Sequence, residues 1–152
     1  MIELFCIKYA DSTLREDLAL LGGSADKRIP ITFCVYLIRA DGRNILVDAG
    51  CDNMPGFVMR KFFSPAFLLR QLDITSDEID DVVITHAHHD HIEAVKHFKN
   101  ALIHISKAEY ENAKKFILTS YESFEKYYGK EADKRRKLYN GMLKCNVYQY
   151  FK

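Results

Sequence analysis

A short stretch of the chain, VVITHAHHDHIEA at residues 82–94, concentrates residues that could bind metal ions. The candidate ligands in it are His86, His88, His89, Asp90 and His91. Imidazole nitrogens and carboxylate oxygens are common ligands of zinc, and imidazole also suits iron and nickel. Burial of several imidazoles at the end of an apolar strand costs free energy unless they share a partner. The pattern therefore predicts a metal site, and its internal position excludes a purification tag.

The elements around this cluster explain how the donors would converge. DVVIT at residues 81–85 is typical of a buried strand, and the segment after His91 is typical of a helix. Residues two apart at a strand end point to the same side, so His86 and His88 can reach one ion. Asp90 and His91, near the helix start, can face a second ion close by. We therefore predict two divalent ions bound by one segment.

The preceding part of the chain predicts a sheet. Residues 2–10 favour a strand, and residues 11–28, which contain GGSADKR, favour a loop after a weak apolar segment. Two runs rich in β-branched and aromatic residues then flank Asp41 and Gly42, whose turn chemistry predicts an antiparallel hairpin. ALIHI at residues 101–105 predicts a further strand beyond the cluster.

Short helices and a long C-terminal helical segment complete the pattern. Ser64 before Pro65 predicts one helix start, and Thr75 with Glu78 forms a capping-box pattern. Residues 107–144 are predominantly helical in pattern, broken by glycine. The predicted fold class is α+β, with a mostly antiparallel sheet flanked by helices in a single domain over residues 1–152.

Composition narrows the classes of partner. The chain has 152 residues, of which 48% are hydrophobic, and its 22 Lys and Arg nearly balance 21 Asp and Glu. This balance provides no field for nucleic acid or an anionic membrane, and no apolar run reaches the ~20 residues of a membrane span. Four cysteines without a Cys-x-x-Cys pair favour reduced thiols. We therefore expect a cytoplasmic protein with no nucleic-acid or membrane partner, and Cys51 stays open as a residue near the site.

The cluster resembles the signature of the metallo-β-lactamase superfamily, Thr/Ser-His-x-His-x-Asp-His after a hydrophobic strand. Residues 85–91, THAHHDH, match it completely. NILVDAG at residues 44–50 resembles a second landmark of the family, a strand that ends in aspartate and glycine, here Asp48 and Gly50. The resemblance covers roughly residues 30–110, and it is strongest to the branch that contains acyl-homoserine lactonases.

The resemblance implies a role for each matched residue. His86 and His88 would bind the first metal ion, Asp90 and His91 would bind the second, and Asp48 would orient the ligand loop from behind. His89 fills a variable position. The cofactor would be two divalent ions, zinc by preference with iron or manganese as alternatives. Flavodiiron reductases of this superfamily carry glutamate where this chain has His88, which favours hydrolysis over redox chemistry.

Such a pair of ions implies a hydrolase of small-molecule substrates. Ions about 3.5 to 4 Å apart lower the pKa of a shared water and present it as a metal-bound hydroxide to a carbonyl carbon. The candidate substrates are an ester, a lactone, a thioester or an amide. Asp90 is placed to pass a proton in this reaction and is the candidate catalytic residue.

The chain also departs from the family pattern. Family members use a later histidine, a bridging aspartate and usually a final histidine, but only His97, His104 and Asp133 follow the cluster, none in the expected context. Glu93 stands where many members have a small residue, and it would either favour the helix start or crowd the pocket.

The chain therefore resembles only the N-terminal half of the family's two-sheet sandwich. An incomplete sandwich exposes an apolar sheet face, which predicts a homo-oligomer, a covering C-terminal helix or a missing second half. The alternative to an enzyme is a non-catalytic metal-binding or interaction half-domain.

Overall fold

The computed structural model describes residues 1–54, 57–119 and 148–149, which form a six-stranded sheet with its strands in chain order. The strands are β1 (Ile2–Arg15), β2 (Arg28–Ala40), β3 (Arg43–Val47), β4 (Asp81–Ile84), β5 (Leu102–Ile105) and β6 (Tyr148–Gln149). The helices are α1 (Glu16–Ala19), α2 (Pro65–Arg70), α3 (His89–Ile92) and α4 (Lys107–Thr119), with 3₁₀ turns at Ser76–Glu78 and Glu93–His97.

One half of the sheet is antiparallel and contains its longest ladders. β1 pairs with β2 along almost its whole length, and β2 pairs with β3 through a tight turn. Asp41 and Gly42 at this turn have φ values of 52° and 78°. Positive φ at both central positions is the geometry that asparagine, aspartate and glycine tolerate best. The predicted hairpin is therefore confirmed.

The prediction of a loop over residues 11–28 was wrong at both ends of that range. β1 continues to Arg15 because its residues pair with β2, for example Asp11 with Thr32. The Thr32 hydroxyl also donates to Asp11 at 3.2 Å, and the Arg28 guanidinium donates to the Thr13 hydroxyl at 2.8 Å. These cross-strand bonds stabilise a segment whose own sequence has little strand preference.

The other half of the sheet is parallel and determines where the candidate site lies. β3 pairs with β4, and β4 pairs with β5, both in parallel. The carboxyl ends of β3 and β4 therefore meet at one edge of the sheet, which brings Asp48 next to the histidine cluster. The α+β prediction is confirmed, and the sheet is mixed, with long antiparallel and short parallel ladders.

The two faces of the sheet differ in their surroundings. Val35, Leu37, Leu46 and Val82 are fully buried on the face where Leu69 of α2 joins the core cluster. On the opposite face, side chains such as Leu4 and Tyr36 are exposed, at 68% and 42%. The described strands thus form a single open sheet, as predicted for an incomplete sandwich. A homo-oligomer that covers this face stays a prediction.

Two of the predicted helix starts have the expected caps. The Ser64 hydroxyl accepts the backbone N–H of Phe67 at 3.2 Å at the start of α2. The Glu78 carboxylate accepts the backbone N–H of Thr75 at 2.8 Å, but the turn that follows is a single 3₁₀ turn. The first part of the long helical prediction is confirmed as α4, and residues 120–144 lie outside the described residues. In the described part of the chain, no helix is long and apolar enough to cross a membrane.

Candidate metal centre

The predicted ligands lie together where the chain leaves β4. His86 and His88 follow the strand, and Asp90 and His91 lie in the first turn of α3. The Nε2 atom of His86 is 3.0 Å from Nδ1 of His88, and the rings of His86 and His91 are 3.9 Å apart between centroids. His91 Nε2 is 3.4 Å from Oδ2 of Asp90. All four side chains are therefore brought to one place.

Asp48 is hydrogen-bonded to the residues at the two ends of this group, Thr85 and His91. Its carboxylate accepts the backbone N–H of Thr85 at 2.8 Å, the Thr85 hydroxyl at 2.8 Å and Nδ1 of His91 at 2.7 Å. Asp48 is 5% exposed and has a φ of 62°, a left-handed conformation that aspartate tolerates better than most residues. The carboxylate is therefore fully hydrogen-bonded in a buried position.

These hydrogen bonds determine which ring nitrogens are available to bind a metal. The Thr85 hydroxyl has one proton, which it donates to Asp48, so it accepts the Nδ1 proton of His86 at 3.0 Å. His91 likewise donates its Nδ1 proton to Asp48. In a neutral imidazole the other nitrogen then has a free lone pair. Nε2 of His86 in the neutral ring, and Nε2 of His91 once that ring has lost its second proton, are therefore the atoms that can bind a metal.

The surroundings of the cluster lower the pKa of His86 and of Asp90 and raise the pKa of His91. Burial and the neighbouring imidazoles of His91 and His88 lower the pKa of His86, which favours the neutral form. Burial also acts to lower the pKa of His91, but hydrogen bonds to Asp48 and Asp90 outweigh it and raise the pKa to about 9. Burial acts to raise the pKa of Asp90, but its bond to His91 and the positive charge of that ring lower it.

The donor spacing fits two pairs of metal ligands. Ligand atoms about 2.0 to 2.1 Å from a tetrahedral zinc ion lie roughly 3.3 Å from one another. The separations of 3.0 Å between His86 and His88 and 3.4 Å between His91 and Asp90 are close to that value. Within residues 1–54, 57–119 and 148–149, however, no three His, Cys, Asp or Glu side chains are grouped to hold one ion. Each pair would thus supply two ligands to an ion, and water or residues outside the described part would supply the others.

The other histidines face away from this group. His89 Nε2 donates to the carbonyl oxygen of Asn53 at 2.8 Å, which fits its variable position in the signature. His97 Nε2 lies 2.9 Å from a carboxylate oxygen of Asp52. His104 Nε2 lies 2.7 Å from Asp81, at the start of β4 and so at the far end of that strand from the cluster. Neither later histidine therefore serves as a third ligand, and Asp133 lies outside the described residues.

Two residues that support the loop of candidate ligands were not predicted from the sequence. The Tyr9 hydroxyl donates to the carbonyl oxygen of Asp90 at 3.0 Å, from a position where the β1–β2 register shifts. Glu109 of α4 accepts the backbone N–H of Ala87 at 2.8 Å, between the two ligands of the first pair. Glu109 lies in a predicted helix with charged neighbours, and Tyr9 in an ordinary strand pattern, so neither carried a local signal.

Cys51, which the sequence left open, lies beneath the site. It is fully buried, and its Sγ atom is 3.7 Å from the Tyr9 hydroxyl. Burial raises the pKa of the Cys51 thiol to about 12. Cys51 is thus a member of the hydrophobic core, and its thiol is neutral at neutral pH.

The fold and the ligand cluster agree with a known family. The family model of the metallo-beta-lactamase superfamily matches residues 35–141, which include Asp48 and the whole histidine cluster. The chain therefore belongs to the metallo-beta-lactamase superfamily.

Individual relatives are similar over part of their length. MJ0296 of Methanocaldococcus jannaschii, named as a probable metallo-hydrolase, is 33% identical over 59% of this chain and 38% of its own length. The N-acyl homoserine lactonase AiiB of Rhizobium rhizogenes is 28% identical over 62% of this chain and 40% of its own. A Bacillus subtilis protein named as an RNA methyltransferase, YpsC, is 53% identical over 36 residues only, 9% of its length, which shows no family.

A solved structure extends the likeness of the fold over nearly the whole chain. AidC, described as a dizinc quorum-quenching lactonase in complex with a product, superimposes with a TM-score of 0.72 at 20% identity. The match covers 99% of this chain and 58% of AidC. This chain thus spans less than two thirds of the length of each of these relatives.

Proposed function

We propose that this chain forms the metal-binding part of a metal-dependent hydrolase that acts on a small molecule with an ester, lactone, thioester or amide carbonyl. The observation that carries this proposal is the spacing of two pairs of side chains, His86 with His88 and Asp90 with His91. The atoms within each pair are about as far apart as two ligands of one zinc ion, and Asp48 holds His91 by a hydrogen bond. The lactonases among the relatives favour a lactone or related ester within this range.

The residues would divide the work as follows. His86 and His88 would hold one divalent ion, and Asp90 and His91 would hold the other, with zinc as the preferred metal for this nitrogen-rich set. When bound, two such ions supply an activated water and polarise a carbonyl group. Asp90 would also carry a proton between water and the leaving group, because a carboxylate can accept a proton from the one and donate it to the other.

One observation favours a second candidate, a non-catalytic metal-binding half-domain. Each donor pair has only two protein ligands among the described residues, whereas catalytic zinc sites usually have three. An ion held by two ligands would bind weakly.

For either candidate, the near-neutral charge and the free thiols of Cys6, Cys34 and Cys51 support a cytoplasmic protein without nucleic-acid or membrane partners.

Metal content and turnover distinguish the two candidates. The purified chain would be loaded with Zn²⁺, dialysed, analysed for bound metal, and assayed on a panel of lactones and thioesters. Two retained ions with turnover support the hydrolase, whereas one weak ion or none, without turnover, supports the half-domain. His86→Ala and Asp90→Ala should each lose metal. His104→Ala is the matched control, because His104 contacts Asp81 at the far end of β4 rather than the cluster.

A further inference from the structure

Glu93 is a charged side chain in the core, two residues after the second donor pair. It is 5% exposed, and its neighbours Ile92, Ala94 and Val95 are also buried. A buried carboxylate costs free energy unless it is paired and hydrogen-bonded, and an apolar residue would fill the same space at lower cost. The position therefore requires specific partners, which the structure provides.

The partners of Glu93 connect it to the loop after β3. One carboxylate oxygen accepts the backbone N–H of Asp52 at 2.7 Å, and the other pairs with Lys96. Lys96 also contacts the Asp52 carboxylate at 2.8 Å, and His97 contacts it at 2.9 Å. We call these four residues, Asp52, Glu93, Lys96 and His97, the loop latch.

The loop latch closes a continuous series of contacts between two segments. Ala49 donates its backbone N–H to the carbonyl of His91 at 2.7 Å, and Ala94 donates to the carbonyl of Gly50 at 3.0 Å. At the other end of the series, Asp48 accepts Nδ1 of His91 at 2.7 Å. The loop after β3 is therefore hydrogen-bonded at several positions, from Asp48 to the loop latch, to the segment that contains the candidate ligands Asp90 and His91.

The charges of the latch stabilise one another. Burial acts to raise the pKa of Asp52, but hydrogen bonds from Lys96 and His97 outweigh it and lower the pKa. Burial acts to lower the pKa of Lys96, but hydrogen bonds to Asp52 and Glu93 outweigh it and raise the pKa. Asp52 and Lys96 thus stay ionised together, which keeps the latch closed at neutral pH.

We propose that Glu93 is a positioning residue: through the loop latch it fixes the loop after β3 against α3, and so holds Asp48 on His91 in readiness for an ion at the second donor pair. This inference rests on the proposed metal binding. Glu93 lies at the start of the 3₁₀ turn Glu93–His97, as expected for a helix start, and its carboxylate bonds to the loop after β3.

Binding of Co²⁺ tests this role without any assay of activity. The chain would be titrated with Co²⁺, and both its affinity and its visible absorption spectrum, which reports the coordination geometry, would be recorded. Glu93→Ala should weaken Co²⁺ binding by about 10- to 100-fold, as loss of outer-shell partners does elsewhere, and should alter the spectrum. Glu93→Gln should be intermediate, because its amide oxygen accepts the Asp52 N–H but cannot pair with Lys96.

Glu78→Ala is the matched control, since it removes a structural glutamate at the distant 3₁₀ turn and should leave Co²⁺ binding unchanged. Wild-type affinity and spectrum in Glu93→Ala would overturn the positioning role alone, whereas a wild-type chain that takes up no Co²⁺ would overturn the metal proposal as well. If Glu93→Ala does not fold by circular dichroism, folded Glu93→Gln decides, and wild-type behaviour in that variant counts against the role.

Discussion

Replacing Asp48 with asparagine separates the charge of this residue from its shape. The two side chains are nearly the same size, and both tolerate the left-handed φ of 62° found here. The asparagine oxygen can still accept the backbone N–H of Thr85. Its amide nitrogen, however, is a donor, so it cannot accept the Nδ1 proton of His91 as the carboxylate does at 2.7 Å.

The expected consequence of Asp48→Asn is a change of tautomer at His91. With an amide nitrogen opposite, Nδ1 of His91 becomes the acceptor and the ring proton moves to Nε2, the atom that would bind the metal. Loss of such an outer-shell carboxylate weakens metal binding by about 10- to 100-fold, or about 1.4 to 2.8 kcal/mol. Loss of a hydrogen bond to a charged group also lowers the free energy of unfolding by about 1.5 to 3 kcal/mol.

Two measurements test Asp48→Asn. Nitrogen and proton NMR of the imidazole rings, recorded at a pH above the raised His91 pKa of about 9, identifies the nitrogen of neutral His91 that carries the proton. Zn²⁺ titration against a competing chelator gives the affinity. Asp81→Asn is the matched control, because Asp81 also contacts a histidine nitrogen, Nε2 of His104 at 2.7 Å, but at the far end of β4. Asp81→Asn should keep the wild-type zinc affinity.

The result that would refute this reasoning is specific. If Asp48→Asn leaves the proton of His91 on Nδ1 and leaves zinc affinity unchanged, the carboxylate does not determine the ligand atom. Equal losses of affinity in Asp48→Asn and Asp81→Asn would instead indicate a general effect on stability.

Three further outcomes follow from buried groups around the site. Tyr9→Phe leaves the Asp90 carbonyl without its 3.0 Å donor, so urea denaturation should show a loss of about 1 to 3 kcal/mol, and no loss would contradict this bond. Cys51 should resist alkylation in the folded chain while exposed Cys6 reacts, because burial raises the pKa of Cys51 to about 12. Mass spectrometry would locate the label. Early labelling of Cys51 would contradict its burial. Asp52 has a lowered pKa, so its contribution to stability is present above the ordinary carboxyl pKa and is lost as the pH falls through the lowered one. Asp52→Asn should therefore have a flatter acid limb in thermal melts, and a limb like that of wild type would argue against the latch.

The histidine cluster was predictable because its donors are contiguous in the sequence. A strand followed by a helix start is enough to place His86, His88, Asp90 and His91 near one another, whatever the rest of the chain does. Asp48 was added from the resemblance to the metallo-β-lactamase signature, and the parallel pairing of β3 with β4 that brings it to the cluster came from the structure. Local pattern therefore identified the side chains that could touch a metal.

The residues that support the cluster were not predictable in the same way. Tyr9 lies on the core face of β1, as Ile7 does two residues earlier, and its hydroxyl reaches the carbonyl of Asp90 across a sequence separation of 81 residues. Glu109 reaches the ligand loop because α4 returns across the end of β4. Both contacts depend on tertiary placement across long sequence separations, and neither residue type is unusual in its own element.

The boundaries of β1 illustrate the same limit for the fold. Asp11 and Ser12 favour turns by themselves, yet they lie in a strand because they pair with residues of β2. Glu93 was singled out as a departure from the family pattern, but its inward orientation depends on Asp52 and Lys96, which the sequence alone could not place beside it.

Among the described residues, the contacts that arrange the donors lie within residues 9–109. Asp48, Thr85 and Tyr9 hold the ligand segment through hydrogen bonds made entirely inside this range. Completion of each ion's coordination, by contrast, requires ligands that the described residues do not supply. The positions of the four candidate ligands thus do not depend on whether further ligands are present for each ion. A chain that binds metal weakly would still have its four ligands in place. Weak binding with unchanged ring tautomers would therefore indicate missing ligands rather than a disordered site.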